Sequence, residues 1–213
     1  MPANPNAPFG FRFLKTVDGL MPTYGERRGI LKGGSGGNTH SIFSGDPLTV
    51  STGGYLDVFT AALTTTTLMS GFASRFEWAS KSQAKIARQL YWPGTPTDSS
   101  GDADIFVYYY PANPNFVFEC QCVLGPVTNA NIGQYANWNV GSGGNTVGAG
   151  NYSSFTLDDS TLSDTRGTTP QLPLRVYDVP GIGPISPFVA QAGYDSANTY
   201  NRVWVTVASF TPE

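Results

Sequence analysis

Proline and glycine interrupt this chain so often that a long helix has little room: 25 Gly and 16 Pro are spread over 213 residues. Inside a helix, Gly costs about 1 kcal/mol against Ala and Pro about 3 kcal/mol. What remains between the breaks is a series of short β-rich runs. Residues 115–124 are the clearest. Phe116, Phe118, Cys120, Cys122 and Leu124 alternate with Val117, Glu119, Gln121 and Val123, the period of two that gives a strand one buried face. In residues 202–210, Val203, Val205 and Val207 likewise oppose Trp204, Thr206, Ala208 and Phe210. Residues 105–110 are apolar on both faces and read as a central strand. Residues 172–179 form another run, and weaker strands are expected over 41–50, 55–59, 68–78, 134–140 and 152–157. Residues 77–91 have good helix propensity but poor apolar periodicity, so they read as two strands joined by a polar turn at 80–82. The fold class is therefore all-β: an antiparallel β-sandwich or barrel-like domain with long glycine-rich loops.

The N-terminus has a different character. Pro2, Pro5 and Pro8 fix φ and remove backbone donors, so this stretch reads as an extended arm. It ends in Phe9, Phe11, Arg12 and Phe13. Three rings gain nothing exposed and much in a groove, on this chain or on a neighbour. They are taken as anchors, with Arg12 pairing a carboxylate. Gly33, Gly34, Gly36 and Gly37 read as a flexible hinge. The expected organisation is an arm and hinge over 1–38, then one β-rich domain over 39–213.

Charged residues are only 13%, about half the usual share. Such a surface suits a protein embedded in contacts. The net charge is −3 and no basic stripe exists, which disfavours nucleic acid as a partner. No apolar stretch approaches the length of a membrane span, and no secretory signal follows Met1. Cys120 and Cys122 sit on one face of a strand and read as buried free thiols, as expected in a reducing cytosol.

Chemistry-bearing constellations are sparse. His40 is the one histidine, and it reads as a turn or surface residue, not a catalytic one. Asp98, Asp102 and Asp104 could gather oxygen ligands, but their spacing is not that of an EF-hand loop, and a solvated turn is favoured. Asp158 and Asp159 are adjacent and diverge in a strand. Residues 33–37 lack the Gly-Lys-Ser/Thr ending of a phosphate loop. Glu77 and Glu119 are carboxylates without a recognisable partner. The expectation is no enzyme, no metal and no cofactor. Tyr108, Tyr109, Tyr110, Trp78, Trp92, Trp138 and Trp204 are candidates for a sugar platform, though most fit strand-core positions better.

The order of the short motifs carries a resemblance. The chain has Asn4-Pro5-Asn6-Ala7-Pro8-Phe9-Gly10-Phe11-Arg12, then Ile42-Phe43-Ser44-Gly45-Asp46-Pro47-Leu48 and Tyr91-Trp92-Pro93-Gly94-Thr95. Tyr110-Pro111-Ala112-Asn113-Pro114-Asn115-Phe116-Val117-Phe118-Glu119-Cys120-Gln121 follows, then Ile132-Gly133-Gln134, Leu174-Arg175-Val176 and Arg202-Val203-Trp204-Val205. In this order the chain resembles a family of tailed-bacteriophage virion proteins, the head decoration (cement) or capsid structural proteins. It departs from that pattern at Tyr110-Pro111, where an acidic residue is expected. The resemblance implies a β-rich virion protein, made in the bacterial cytoplasm, that binds the major capsid protein on the shell surface. Self-association, as a homotrimer, is expected with it. The alternative is a non-enzymatic carbohydrate- or receptor-binding module of the phage head or tail.

Overall fold

The computed structural model describes residues 7–20, 25–51, 53–59, 69–99, 104–140, 153–165, 172–180 and 199–208. The first six residues of the expected arm, Asp102 and the glycine-rich loop 141–150 lie outside them. The strands are β1 (Arg12–Thr16), β2 (Arg27–Leu31), β3 (Ile42–Phe43), β4 (Pro47–Val50), β5 (Leu56–Val58), β6 (Met69–Ser80) and β7 (Lys85–Gln89). They continue as β8 (Tyr91–Trp92), β9 (Ile105–Pro111), β10 (Phe116–Gln121), β11 (Tyr135–Val140), β12 (Phe155–Ser163), β13 (Leu174–Asp178) and β14 (Arg202–Val207). Helical structure among the described residues is limited to two single 3-10 turns, Pro96–Asp98 and Asn129–Asn131.

The fold is all-β and sandwich-like. One antiparallel sheet runs β1-β10-β14-β13-β11-β12; a second runs β2-β9-β6-β4-β5, with β7 also paired to β6. A small β3–β8 pair stands beside them. The alternating valines of β14 and the Phe118 and Cys120 face of β10 form the floor of the first core, with Trp138, Phe155 and Leu157. Phe59, Met69 and Phe72 from the second sheet's segments close that core. A second core gathers Leu31, Leu48, Phe76, Trp78, Trp92, Ile105 and Val107. β6 serves both cores. A register break between Ala73 and Arg75 shifts its alternation, so Phe72 points into the first core while Phe76 and Trp78 point into the second. This is what a β-bulge does: one extra residue re-aims every side chain beyond it.

β9 lies between β2 and β6, the central position expected for residues 105–110. The 77–91 stretch is two strands, β6 and β7, joined by a turn over 81–84 in which Ala84 takes a positive φ of 49°. Two expectations need correction. The 41–50 run is not one strand. It breaks at Gly45, whose φ of +93° turns the chain, and Asp46 N–H closes the turn onto Phe43 O at 3.0 Å. Leu124 is not on the buried face. β10 ends at Gln121, and the N–H groups of Val123, Leu124 and Gly125 turn instead onto the Asp159 carboxylate at 3.0, 2.9 and 2.7 Å. Leu124 is left 62% exposed.

Candidate functional site

The N-terminal rings are seated on this chain. Phe9 and Phe11 are buried. Phe11 stacks on Phe72 with centroids 4.6 Å apart, and Phe13 stacks on Tyr110 at 4.4 Å, edge-on to Phe116 and Phe118. Directly after Phe11, β1 adds to the edge of the first sheet, with Arg12 opposite Glu119. The Arg12 and Arg202 guanidinium groups lie 4.6 and 5.0 Å from the Phe9 centroid. β2, within the first 38 residues, is an edge of the second sheet.

Two glycines make this seat possible. The segment crosses the β3–β4 turn where Phe11 N–H donates to Gly45 O at 3.0 Å. A Cβ on Gly45 would lie 2.8 Å from Phe11 N, and one on Gly10 would collide with Ser153 Oγ and Cβ. Both glycines also have positive φ, so the crossing is closed to any side chain. Beneath it lies Asp46, fully buried. Its Oδ2 accepts the Phe43 N–H at 2.8 Å, while Oδ1 has no hydrogen-bond partner. Burial pushes this carboxyl up to about 7, against the hydrogen bonds from Ser153 and Phe43.

Residues 33–37 form a hydrogen-bonded turn. Gly37 N–H donates to Gly34 O, Gly34 N–H to Pro96 O, and Gly33 and Gly34 are buried. Next to it, His40 Nδ1 lies 2.9 Å from Asp57 Oδ1, which also accepts from Asn38 Nδ2 at 2.8 Å. A carboxylate-oriented imidazole is two-thirds of a hydrolytic triad. Among the described residues no hydroxyl or thiol hydrogen-bonds this imidazole. Glu77 and Glu119 lie on different sheets: Glu77 pairs with Arg88 at 2.8 Å, and Glu119 lies 3.8 Å from Arg202. Asp98 organises the β6–β7 turn. Burial would raise its pKa, but the Ser82 side chain and N–H, with Ser80 and Trp78, outweigh that and hold it at about 2. Among the described residues no cluster of His, Cys, Asp and Glu could hold a metal. Cys120 and Cys122 are free and buried, which raises both thiols well above their ordinary range.

The most developed surface was not legible in the sequence. The alternation of β9 puts Phe106 and Tyr108 on one face, away from buried Ile105 and Val107. Register then brings Arg28 and Arg75 opposite Tyr108, Ile30 and Glu77 opposite Phe106, and Arg88 opposite Glu77. The Arg75 guanidinium lies 4.3 Å from the Tyr108 centroid and Arg28 4.6 Å from that of Phe106. Arg75 also pairs with Glu26 at 2.9 Å, and Ser74 Oγ donates to the same carboxylate at 2.6 Å. Leu90, 66% exposed, stands between two recesses. One, of about 430 Å³, is lined by Arg75, Glu77, Arg88 and Tyr108. The other, of about 270 Å³, is lined by Phe9, Arg12, Phe13 and Tyr110. Burial, and the Glu26 charge after it, raise the Tyr110 phenol.

The aromatic platform proposed for sugars is largely occupied. Trp78, Trp92 and Trp138 are core residues. Tyr108 is covered by Arg75, Tyr110 is stacked by Phe13, and Tyr109 packs against the second core. Among the described residues no helix is long and apolar enough to cross a membrane. The site and fold together define an all-β domain with an arginine-and-aromatic outer strip. No family model, no curated protein and no solved structure matches the chain.

Proposed function

We propose that this chain is a non-enzymatic structural virion protein that binds the outside of a tailed-phage icosahedral capsid and stabilises it. Its partners would be the major capsid protein and further copies of itself, as a homotrimer that exchanges the N-terminal segment. The observation that carries this reading is the seating of Phe9, Phe11 and Phe13. The segment docks as a plug of rings followed by an edge strand, and β1 pairs with β10 alone. A neighbouring copy's segment can make the same contacts in the same groove, so exchange costs little beyond the loop that must open. The order of short motifs supports the virion assignment. A protein that binds only the assembled shell stabilises it by its binding free energy, and several linked contacts act through high effective concentration.

The test is to add the purified protein to expanded shells that lack it, counting bound copies and measuring the rupture temperature. Saturable binding with a raised rupture temperature supports the reading; no binding refutes it. Exchange is read separately. Arg12→Cys with Glu119→Cys places two thiols on facing strand positions. Oxidised protein that remains monomeric on a denaturing gel shows the segment folded back, and covalent multimers show it exchanged.

A further inference from the structure

We propose that the outer face of the second sheet, centred on Arg75, Tyr108, Arg88 and Leu90, is a docking surface for a protein partner that presents carboxylates around an apolar side chain. This inference does not rest on the virion reading. Three observations carry it. First, the arginines are ordered before any partner arrives. Arg75 and Arg28 lie against rings at 4.3 and 4.6 Å, and the Arg75 and Arg88 side chains remain 57% and 74% exposed. A guanidinium stacked on a ring keeps its N–H edge free for a carboxylate, and less side-chain freedom is lost on binding. Second, the strip already accommodates carboxylates. Glu26 and Glu77 hold Arg75 and Arg88 at 2.9 and 2.8 Å, so a partner's carboxylate meets the same donors in the same plane. Third, the charged groups surround apolar contact area. Leu90 is 66% and Ile86 59% exposed, on and beside a recess of about 430 Å³. Arginine and tyrosine beside an apolar anchor are the composition of interface hot spots.

Other occupants fit less well. A sugar stacks on an open aromatic face, and here guanidinium groups already cover Tyr108 and Phe106. A polyphosphate chain wants an unbroken run of cations, and Glu26 and Glu77 interrupt this one. Charge complementarity therefore selects an acidic protein surface with an apolar tip.

The experiment uses the full chain and an immobilised random copolymer of glutamate and tyrosine, with polyglutamate, single-stranded DNA and dextran alongside. Saturable binding to the glutamate–tyrosine copolymer is expected, stronger than to the other three and weakened by salt. Arg75→Gln with Arg88→Gln should weaken it by about tenfold or more, and Leu90→Ser by a comparable factor. All three side chains are mostly exposed, so the variants should melt at the wild-type temperature. The proposal is overturned if the copolymer does not bind, if the arginine variant binds equally well, or if DNA or dextran is preferred. Shell binding that fails while copolymer binding holds would refute the virion reading alone.

Discussion

Replacing Asp46 with Asn should make the protein's stability much less sensitive to pH. Unfolded, this carboxyl ionises near 3.8; folded, burial raises it to about 7. Between those values the folded state holds a proton that the unfolded state has lost. Stability from this residue is therefore complete below about pH 4, falls as pH rises, and levels off above about pH 8. The difference of about 3 units, at about 1.4 kcal/mol each, is worth about 4 kcal/mol over the whole range. Roughly 2–3 kcal/mol of that falls between about pH 5 and pH 8. The cause is structural. The turn that holds Asp46 is fixed by Gly45 N–H to Ala73 O at 2.7 Å and roofed by Phe11 N–H to Gly45 O at 3.0 Å, and no partner reaches Oδ1. The amide of Asn can keep the Phe43 N–H bond and carries no charge. Its NH₂ group costs about 1–3 kcal/mol if left unpaired, but that cost does not change with pH. Urea unfolding of both proteins at about pH 5 and pH 8 isolates the difference in slope. If wild type and variant lose the same stability between the two, Asp46 is not the titrating group and its burial has been misread. Because the N-terminal segment forms the roof, ionisation of Asp46 should also loosen the docked rings.

Phe11→Ala removes a fully seated ring against Phe72 and should cost about 3–5 kcal/mol, read as a lower urea midpoint. Gly45→Ala puts a methyl 2.8 Å from Phe11 N at a φ of +93°; faster hydrogen exchange at the Phe11 amide, with the β14 amides still protected, is the expected result. Asp98→Asn should destabilise the β6–β7 turn at neutral pH and have little effect at the acid limit. The wild-type carboxylate, held at about 2, contributes above about pH 4 and is protonated as pH falls through 2. After solvent screening the loss is about 1–2 kcal/mol, visible as thermal midpoints that converge in acid.

The sequence by itself determined the fold class and most strand positions. Glycine and proline spacing excludes long helices, and period-two alternation in residues 115–121 and 202–207 needs no partner to be read, because each residue's face follows from its own place in the strand. The Cys120 and Cys122 face and the two-strand reading of residues 77–91 were legible for the same reason. What was lost was whatever depends on pairing. The break at Gly45 is one residue wide and lies inside an apolar run. Leu124 fits the alternation, but Asp159, distant in sequence, captures the backbone that would have continued it. The destination of Phe9, Phe11 and Phe13 was open, since apolarity says that rings are buried and not where. Only the tertiary structure put them against Phe72, Tyr110 and Phe118. The arginine strip was equally hidden. Arg28, Arg75, Arg88 and Phe106 come from four strands, and their adjacency is set by register, a property of the paired sheet that no single strand encodes.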